Sequence, residues 1–375
     1  MKILFTGGGT GGHFYPIVAV IEALEEVIKK EKVIEPKLYY LGTEEFDARA
    51  LYDHNVQFEK IYAGKRRNYF SILNFFDFFK TGYGILGALS KIYSIYPDVV
   101  FSKGGYVSFP VLFAARFFKI PVIIHESDTV PGRVNLWASK FAKRIAISWP
   151  DAAQYFPKDK VAWTGNPVRK GIIAPLKFGA HEYLKLNANT PTILILGGSQ
   201  GSKRINETIL SILPELLEKY QIIHQTGVVN FTEVTGIANT ILKDNPNTSR
   251  YKPFNYLNDL GTEMAAGASN LVISRAGSSI FEIACWGIPS IIIPIPEAIS
   301  RDQTQNALAY TRTGSCIMIE EKNLAPHILK GEIDRLLSNP TDLQNMALNA
   351  HRFAKKDAAE KIAKAILDIA LEHEK

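Results

Sequence analysis

Short apolar runs bounded by glycine or polar turns alternate along the chain with longer stretches of helical periodicity. The runs Lys2–Phe5, Lys37–Leu41, Val99–Ser102, Val122–His125 and Arg144–Ile147 read as strands, with amphipathic segments between them. That spacing predicts βαβ units and a parallel sheet. The pattern then restarts. "PTILILGGSQGSKRINETI" (191–209) is again strand, glycine-rich turn and helix, followed by strand candidates at Ile222–Gln225, Ser249–Tyr251, Leu271–Ser274 and Ser290–Ile293. The two openings, 3–20 and 193–210, lie half a chain length apart, so the fold class expected is α/β with two Rossmann-like domains in tandem. Glycine and proline interrupt the pattern at "WTGNPVRKG" (163–171), which sets domains at 1–165 and 166–351. A last amphipathic helix near Ala354–Glu372, within a tail taken as 352–375, is assigned to the first domain.

A chain of 375 residues suits two domains, each with a core of its own. With 46% hydrophobic and 21% charged residues it is globular rather than disordered. Cys285 and Cys316 form no C-x-x-C pair, which argues against disulfides and zinc. The chain opens on a strand, so no signal peptide is expected, and no apolar run is long enough to span a bilayer. A cytoplasmic location follows as an expectation. The net charge of +6 is uneven, with 21 Lys/Arg against 16 Asp/Glu in residues 1–165. A basic first half points to an anionic partner: phosphate, nucleic acid or membrane surface.

Three glycine-rich turns follow strands: "TGGGTGGH" (6–13), "SKGGYVSFP" (102–110) and "GGSQGS" (197–202). The first matches G-x-G-x-x-G, the dinucleotide fingerprint, but no acidic residue is well placed at the end of the second strand. A Walker A loop is excluded, because no Gly-Lys-Ser/Thr follows at the required spacing. Such glycine density implies that something bulky approaches bare backbone, and a helix N-terminus favours an anion there. In "SRAGSSIFEIA" (274–284), a strand runs into a Gly-Ser-Ser helix start that suits a diphosphate. Glu282, one turn in, suits a vicinal pair of sugar hydroxyls, or simply a favourable helix dipole.

Seven motifs in order, "TGGGTGGHFYP", "SKGGYVSFP", "IIHESDTVPGRVN", "GNPVR", "ILGGSQGS", "SRAGSSIFEIA" and "DQTQNA", resemble the MurG family of N-acetylglucosaminyltransferases from residue 3 to about 315. The resemblance implies a GT-B fold, two Rossmann-like domains whose parallel sheets face each other across a cleft. It implies inverting transfer of N-acetylglucosamine from UDP-N-acetylglucosamine to the C4 hydroxyl of the muramyl sugar of lipid I, giving lipid II. For the donor it implies Thr10, Gly11, Gly12, Arg169, Gly198, Ser199, Leu257 (through its backbone, at the uracil edge), Ser278, Ser279, Glu282 and Gln303. For the acceptor's pyrophosphate and sugar it points to Gly11, Gly12, Gly104, Gly105, Tyr106, Ser108 and Asp128. Two positions depart from the family pattern: Asp302 stands where many members have glutamine, and Asp128 where others have asparagine.

A general base is required, and His13 is the first candidate because its ordinary pKa lies near neutral pH. Glu126 and Asp128 are the alternatives, with Glu126 equally suited to orienting a neighbour and His125 to a structural role. No D-x-D pair occurs, so no metal and no other cofactor is expected. The segment 64–93 joins Lys65, Arg66 and Arg67 to Tyr69, Phe70, Phe75, Phe76, Phe78 and Phe79; with 115–121 and 139–144 it suggests docking on the anionic inner face of the cell membrane. Other cell-wall synthesis proteins are expected partners, and nucleic acid is not, because the basic residues are interleaved with phenylalanine. Competing functions are a diacylglycerol glycosyltransferase, a nicotinamide-dependent oxidoreductase and a non-catalytic sugar-nucleotide or membrane adaptor.

Overall fold

Ile3 and Phe5 of the first strand enter one apolar cluster and Leu4 enters another, so consecutive side chains are buried on opposite faces. A strand covered on both sides reads as a continuous apolar run, which is why it is legible as a strand of a parallel sheet. The computed structural model describes residues 1–64, 73–198, 201–296 and 301–372, with the side chains of 73–76, 78, 301 and 302 left aside.

The chain divides into two units, Met1–Arg169 with Lys355–Lys375, and Lys170–Ala354. The first contains β1 (Lys2–Thr6), α1 (Gly11–Glu31), β2 (Lys37–Gly42), α2 (Ala48–Asp53), β3 (Val56–Lys60), α3 (Leu73–Ile95), β4 (Val99–Ser102), α4 (Ser108–Phe117), β5 (Val122–Glu126), α5 (Arg133–Ala138), β6 (Arg144–Ile147) and β7 (Val161–Trp163). The second contains α6 (Ala180–Tyr183), β8 (Thr192–Leu196), α7 (Lys203–Lys219), β9 (Gln221–Gln225), α8 (Phe231–Ile241), β10 (Tyr251–Phe254), α9 (Asp259–Ala268) and β11 (Leu271–Ser274). It ends with α10 (Ser279–Trp286), β12 (Ser290–Ile292), α11 (Arg301–Arg312), β13 (Cys316–Met318), α12 (Pro326–Leu337) and α13 (Pro340–Phe353); α14 (Ala358–Leu371) returns to the first unit.

Both sheets are parallel among their described strands. Their orders are β3-β2-β1-β4-β5-β6-β7 and β10-β9-β8-β11-β12-β13. Strands β3, β7 and β13 are additional to the sequence expectation, and β10 starts at Tyr251 where 249–251 was expected. All four are sheet edges, half covered, so they lack the apolar run that marks a central strand. No described helix is long and apolar enough to cross a membrane.

The return of α14 has a packing reason. Its buried Ile362, Ala363, Ile366 and Leu367 share one cluster with Ile17, Val20, Ile21 and Leu24 of α1. Ile366→Ala should therefore destabilise the first unit by about 2–5 kcal/mol, the cost of a large-to-small change at a fully buried site. Urea titration should show the unfolding of that unit moved to lower denaturant.

Candidate functional site

In each sheet the chain runs outward in one direction and then in the other, so two adjacent strands send their following loops apart. The reversal lies at β1/β4 in the first unit and at β8/β11 in the second. Open α/β sheets bind ligands in the crevice at such points, beyond the carboxyl ends of the strands. The turns at 7–10 and 103–107 follow β1 and β4, and those at 197–202 and 275–278 follow β8 and β11.

In the first turn bare backbone is obligatory. A Cβ on Gly7 would meet Lys103 Cβ at 2.8 Å and Ile17 Cδ1 at 2.9 Å, and Gly9 has φ +90°. Tyr40 donates its hydroxyl to the Gly7 carbonyl. Thr10 precedes α1 without a side-chain capping bond, so the helix start at Gly11 and Gly12 presents uncapped N–H groups, the arrangement that attracts anions.

His13 sits just inside that helix, half-buried, with Nδ1 3.1 Å from the Gly8 carbonyl. A carbonyl only accepts, so Nδ1 carries the hydrogen and Nε2 of the neutral ring keeps its lone pair. Burial first, then the Lys103 charge, holds the His13 pKa below its ordinary 6.5, against the opposing Gly8 bond and Asp128 carboxylate. The ring is thus kept as a neutral base. Gly105 lies against it: a Cβ there would be 3.3 Å from His13 Nδ1.

Gly104 and Gly105 have φ +80° and +82°, a consecutive left-handed pair. Ser108, expected at the acceptor site, is fully buried and donates its hydroxyl to the Gly104 carbonyl (2.8 Å), so it shapes the turn from within. Tyr106 is half-buried with its ring beside Gly9.

Glu126 is held at both carboxylate oxygens. Oε1 accepts from the Asp128 N–H (3.0 Å), and Oε2 from the Gly132 N–H (3.0 Å) and Asn135 Nδ2 (2.9 Å). Burial and the Asp128 carboxylate push its pKa up to about 7, while these three donors pull the other way. A carboxylate so occupied orients the 127–132 loop and is not a free base. Asp128 is half-buried on that loop. His125 is fully buried, with Nε2 3.0 Å from the Gly165 carbonyl and Nδ1 2.7 Å from Lys103 Nζ, which fits the structural role expected of it.

In the second unit Gly198 (φ +85°) and Gly201 (φ +80°) form the turn after β8; Ser199 lies outside the described residues. Buried Gln225 joins this turn to the 257 loop: Nε2 donates to the Gly198 carbonyl (3.4 Å) and Oε1 accepts the Leu257 N–H (3.1 Å). The Leu257 carbonyl in turn accepts from the Thr262 hydroxyl at 3.4 Å. Ser278 precedes α10 without a side-chain cap, Ser279 opens it, and half-buried Glu282 lies in its first turn. Gln303 Oε1 accepts from the Ala276 and Ile295 N–H groups (3.2 Å each), so its amide oxygen holds two loops together. The Asp302 side chain lies outside the described residues. Arg169 belongs to the first unit, its guanidinium 4.0 Å from the centre of the Tyr15 ring.

The structure thus gathers His13, Gly104, Gly105, Glu126 and Asp128 around one switch point, and Gly198, Leu257, Ser278, Ser279, Glu282 and Gln303 around the other. Sequence inspection missed Lys103, Asn135 and Gln225. Lys103 was visible in "SKGG", but a lysine is by default a solvent-facing residue. Residues 65–72 of the aromatic-basic segment, and the side chains of Phe75, Phe76 and Phe78, lie outside the described residues; Phe79 is exposed.

Residues 3–147 match the glycosyltransferase family 28 N-terminal domain and residues 192–362 the glycosyltransferase family 28 C-terminal domain. The chain is 34% identical over 369 residues to the UDP-N-acetylglucosamine--N-acetylmuramyl-(pentapeptide) pyrophosphoryl-undecaprenol N-acetylglucosamine transferase of Clostridium novyi (strain NT), covering 97% of this chain and 98% of the relative. A relative of the same description from Bacillus thuringiensis (strain Al Hakam), numbered 3, is 35% identical over 353 residues, covering 93% and 95%. Among solved structures, Acinetobacter baumannii MurG superposes with TM-score 0.72 at 26% identity, covering 98% of this chain and all of that one. The UDP-GlcNAc 2-epimerase of Neisseria meningitidis bound to UDP-GlcNAc shares the fold, with TM-score 0.67 at 18% identity and coverage of 98% and 100%.

A Cβ on Gly104 would stand 2.7 Å from both Asn135 side-chain termini, on backbone that L residues rarely adopt. Gly104→Ala should cost about 1–3 kcal/mol in thermal or urea unfolding. Gly82→Ala, exposed inside α3 with nothing within 4 Å of a new Cβ, should instead gain about 0.5–1 kcal/mol.

Proposed function

The chain belongs to the MurG family within glycosyltransferase family 28, and from that membership we infer that it transfers N-acetylglucosamine from UDP-N-acetylglucosamine to N-acetylmuramyl-(pentapeptide) pyrophosphoryl-undecaprenol, lipid I, forming lipid II. It is a glycosyltransferase with the two α/β domains of the GT-B fold.

In the proposed reaction the acceptor's pyrophosphate lies on the glycine turns after β1 and β4, Gly11–Gly12 and Gly104–Gly105. The C4 hydroxyl of its muramyl sugar loses a proton to His13 Nε2 as the oxygen attacks the anomeric carbon. The bond to UDP breaks on the opposite side, so the anomeric centre inverts. UDP leaves with its charge met by N–H groups at the start of α10 and by the 197–202 turn, a preorganised electrostatic arrangement. No metal ion is required by this scheme. Glu282 holds the ribose hydroxyls, the Leu257 carbonyl the uracil edge, and Asp128 helps position the acceptor. The observation that carries the catalytic assignment is the 3.1 Å contact of His13 Nδ1 with the Gly8 carbonyl, which assigns the hydrogen to Nδ1 and leaves Nε2 basic.

We also propose that the first unit docks on the anionic inner leaflet where the lipid-linked acceptor resides. Tyr83, Leu86, Tyr93 and Phe117 are exposed on the packed pair α3 and α4, and Arg116, Lys119 and Lys140 are exposed nearby in sequence and fold. The Arg116 guanidinium covers the Phe141 ring at 5.2 Å. Such apolar-basic surfaces bind anionic bilayers.

Transfer of labelled sugar from UDP-N-acetylglucosamine to a lipid I analogue tests the assignment. His13→Ala should lower kcat by about 10²–10⁴-fold, the usual worth of a general base. Glu282→Ala should raise the donor KM and leave the acceptor KM unchanged. The acid limb of kcat/KM should fall below pH 6.5, because burial and Lys103 lower the His13 pKa. Full turnover in His13→Ala would transfer the base role to Asp128. In a separate co-sedimentation experiment, anionic vesicles should retain the protein and neutral ones should not; equal retention would refute leaflet docking.

A further inference from the structure

Lys103 is 2% exposed, a lysine inside the fold beneath the glycine pair. Its Nζ donates to His125 Nδ1 (2.7 Å), to Asn166 Oδ1 (3.0 Å) and to Ser127 Oγ. The His125 acceptor is genuine, because Nε2 of that ring spends its hydrogen on the Gly165 carbonyl. Three acceptors therefore meet three ammonium N–H groups, and the hydrogen-bond count matches the charged form. Burial pulls the Lys103 pKa down to about 7, against the Glu126 and Asp128 carboxylates, so the ammonium is complete on the acid side of neutrality, where His13 titrates. The acceptors come from β5, from the loop after it, and from the 164–169 segment, while Lys103 itself follows β4 and packs its Cβ against Gly7. One side chain thus ties together four strands of chain around the His13 ring.

We propose that Lys103 is a positioning residue for the transfer reaction: its ammonium clamps the 103–107 and 126–128 loops to the 165–166 segment and sets a positive charge beside His13. The proposal rests on His13 as the base and deepens that assignment. The groups facing His13 are the Gly8 carbonyl from its own loop, Lys103 from the β4 loop, Asp128 from the β5 loop, and neutral His125. Of these Lys103 alone disfavours the imidazolium by charge, and Asp128 and the Gly8 carbonyl favour it. With the ammonium gone, the Asp128 carboxylate acts on His13 without an opposing charge, and protonated His13 is stabilised at the expense of the base.

The test is a titration of the His13 ring by NMR, its resonance assigned by loss in His13→Asn, in wild type, Lys103→Gln and Lys103→Met. Lys103→Gln keeps an amide donor without the charge and serves if the methionine variant does not fold. Both substitutions should raise the His13 pKa by about one pH unit, and the acid limb of kcat/KM should rise with it. Adding Asp128→Asn to Lys103→Gln should bring the titration back toward the wild-type value, and Lys103→Arg should leave it in place. An unchanged or lowered His13 titration in Lys103→Gln overturns the proposal, even if turnover falls. The ring titration is read without substrate, so it stands apart from the question of whether His13→Ala abolishes transfer.

Discussion

A parallel sheet forces every crossover over one of its faces, and the change of crossover direction opens a gap between two neighbouring strand ends. Both units are organised around that gap. Right-handed crossovers place helices on both faces, and the chain that leaves β1 or β8 turns away from the chain that leaves β4 or β11. Polar ligands are then met by backbone N–H groups at a helix start, with no side chain needed to supply the charge. Glycine follows as a steric necessity, since a Cβ on Gly7 or Gly201 would enter neighbouring atoms.

Charge at the first gap is partnered within the fold. Taking one ion out of water costs several kcal/mol, so buried ions persist only with partners. Lys103 faces Glu126 and Asp128, and each end of the set is hydrogen-bonded: the ammonium to three acceptors, Glu126 to three N–H donors. His13 and His125 remain neutral within it, held low by burial and by the lysine. The two histidines differ in what their second nitrogen faces. His125 is saturated by Gly165 and Lys103, whereas among the described residues His13 is held through Nδ1 by the Gly8 carbonyl.

The central strands and the glycine turns were legible in the sequence because their signals are local: a continuous apolar run, or glycine where the chain must approach another atom closely. Edge strands β3, β7 and β13 were not, since half-covered strands carry mixed patterns. The roles of Lys103, Asn135 and Gln225 were also hidden. Lys103 finds partners 22, 24 and 63 residues away, and Gln225 joins loops 27 and 32 residues away, so only the fold brings the atoms together. Glu126, by contrast, is anchored by donors only 2, 6 and 9 residues further along the chain. Leu257 and Gln303 likewise spend on the protein itself atoms that motif matching offers to a ligand.

The return of α14 to the first unit sets an order of events during synthesis. The apolar face of α1 that α14 covers is complete once its own residues leave the ribosome, but its partner is encoded at the far end of the chain. At about 5–20 residues per second, the intervening Lys170–Ala354 takes on the order of 10–40 s to make. For that interval the second unit can fold as a whole while the first presents an uncovered apolar stripe. The nascent chain is thus most exposed to misassociation in its first unit, and the emergence of α14 is the step that seals it.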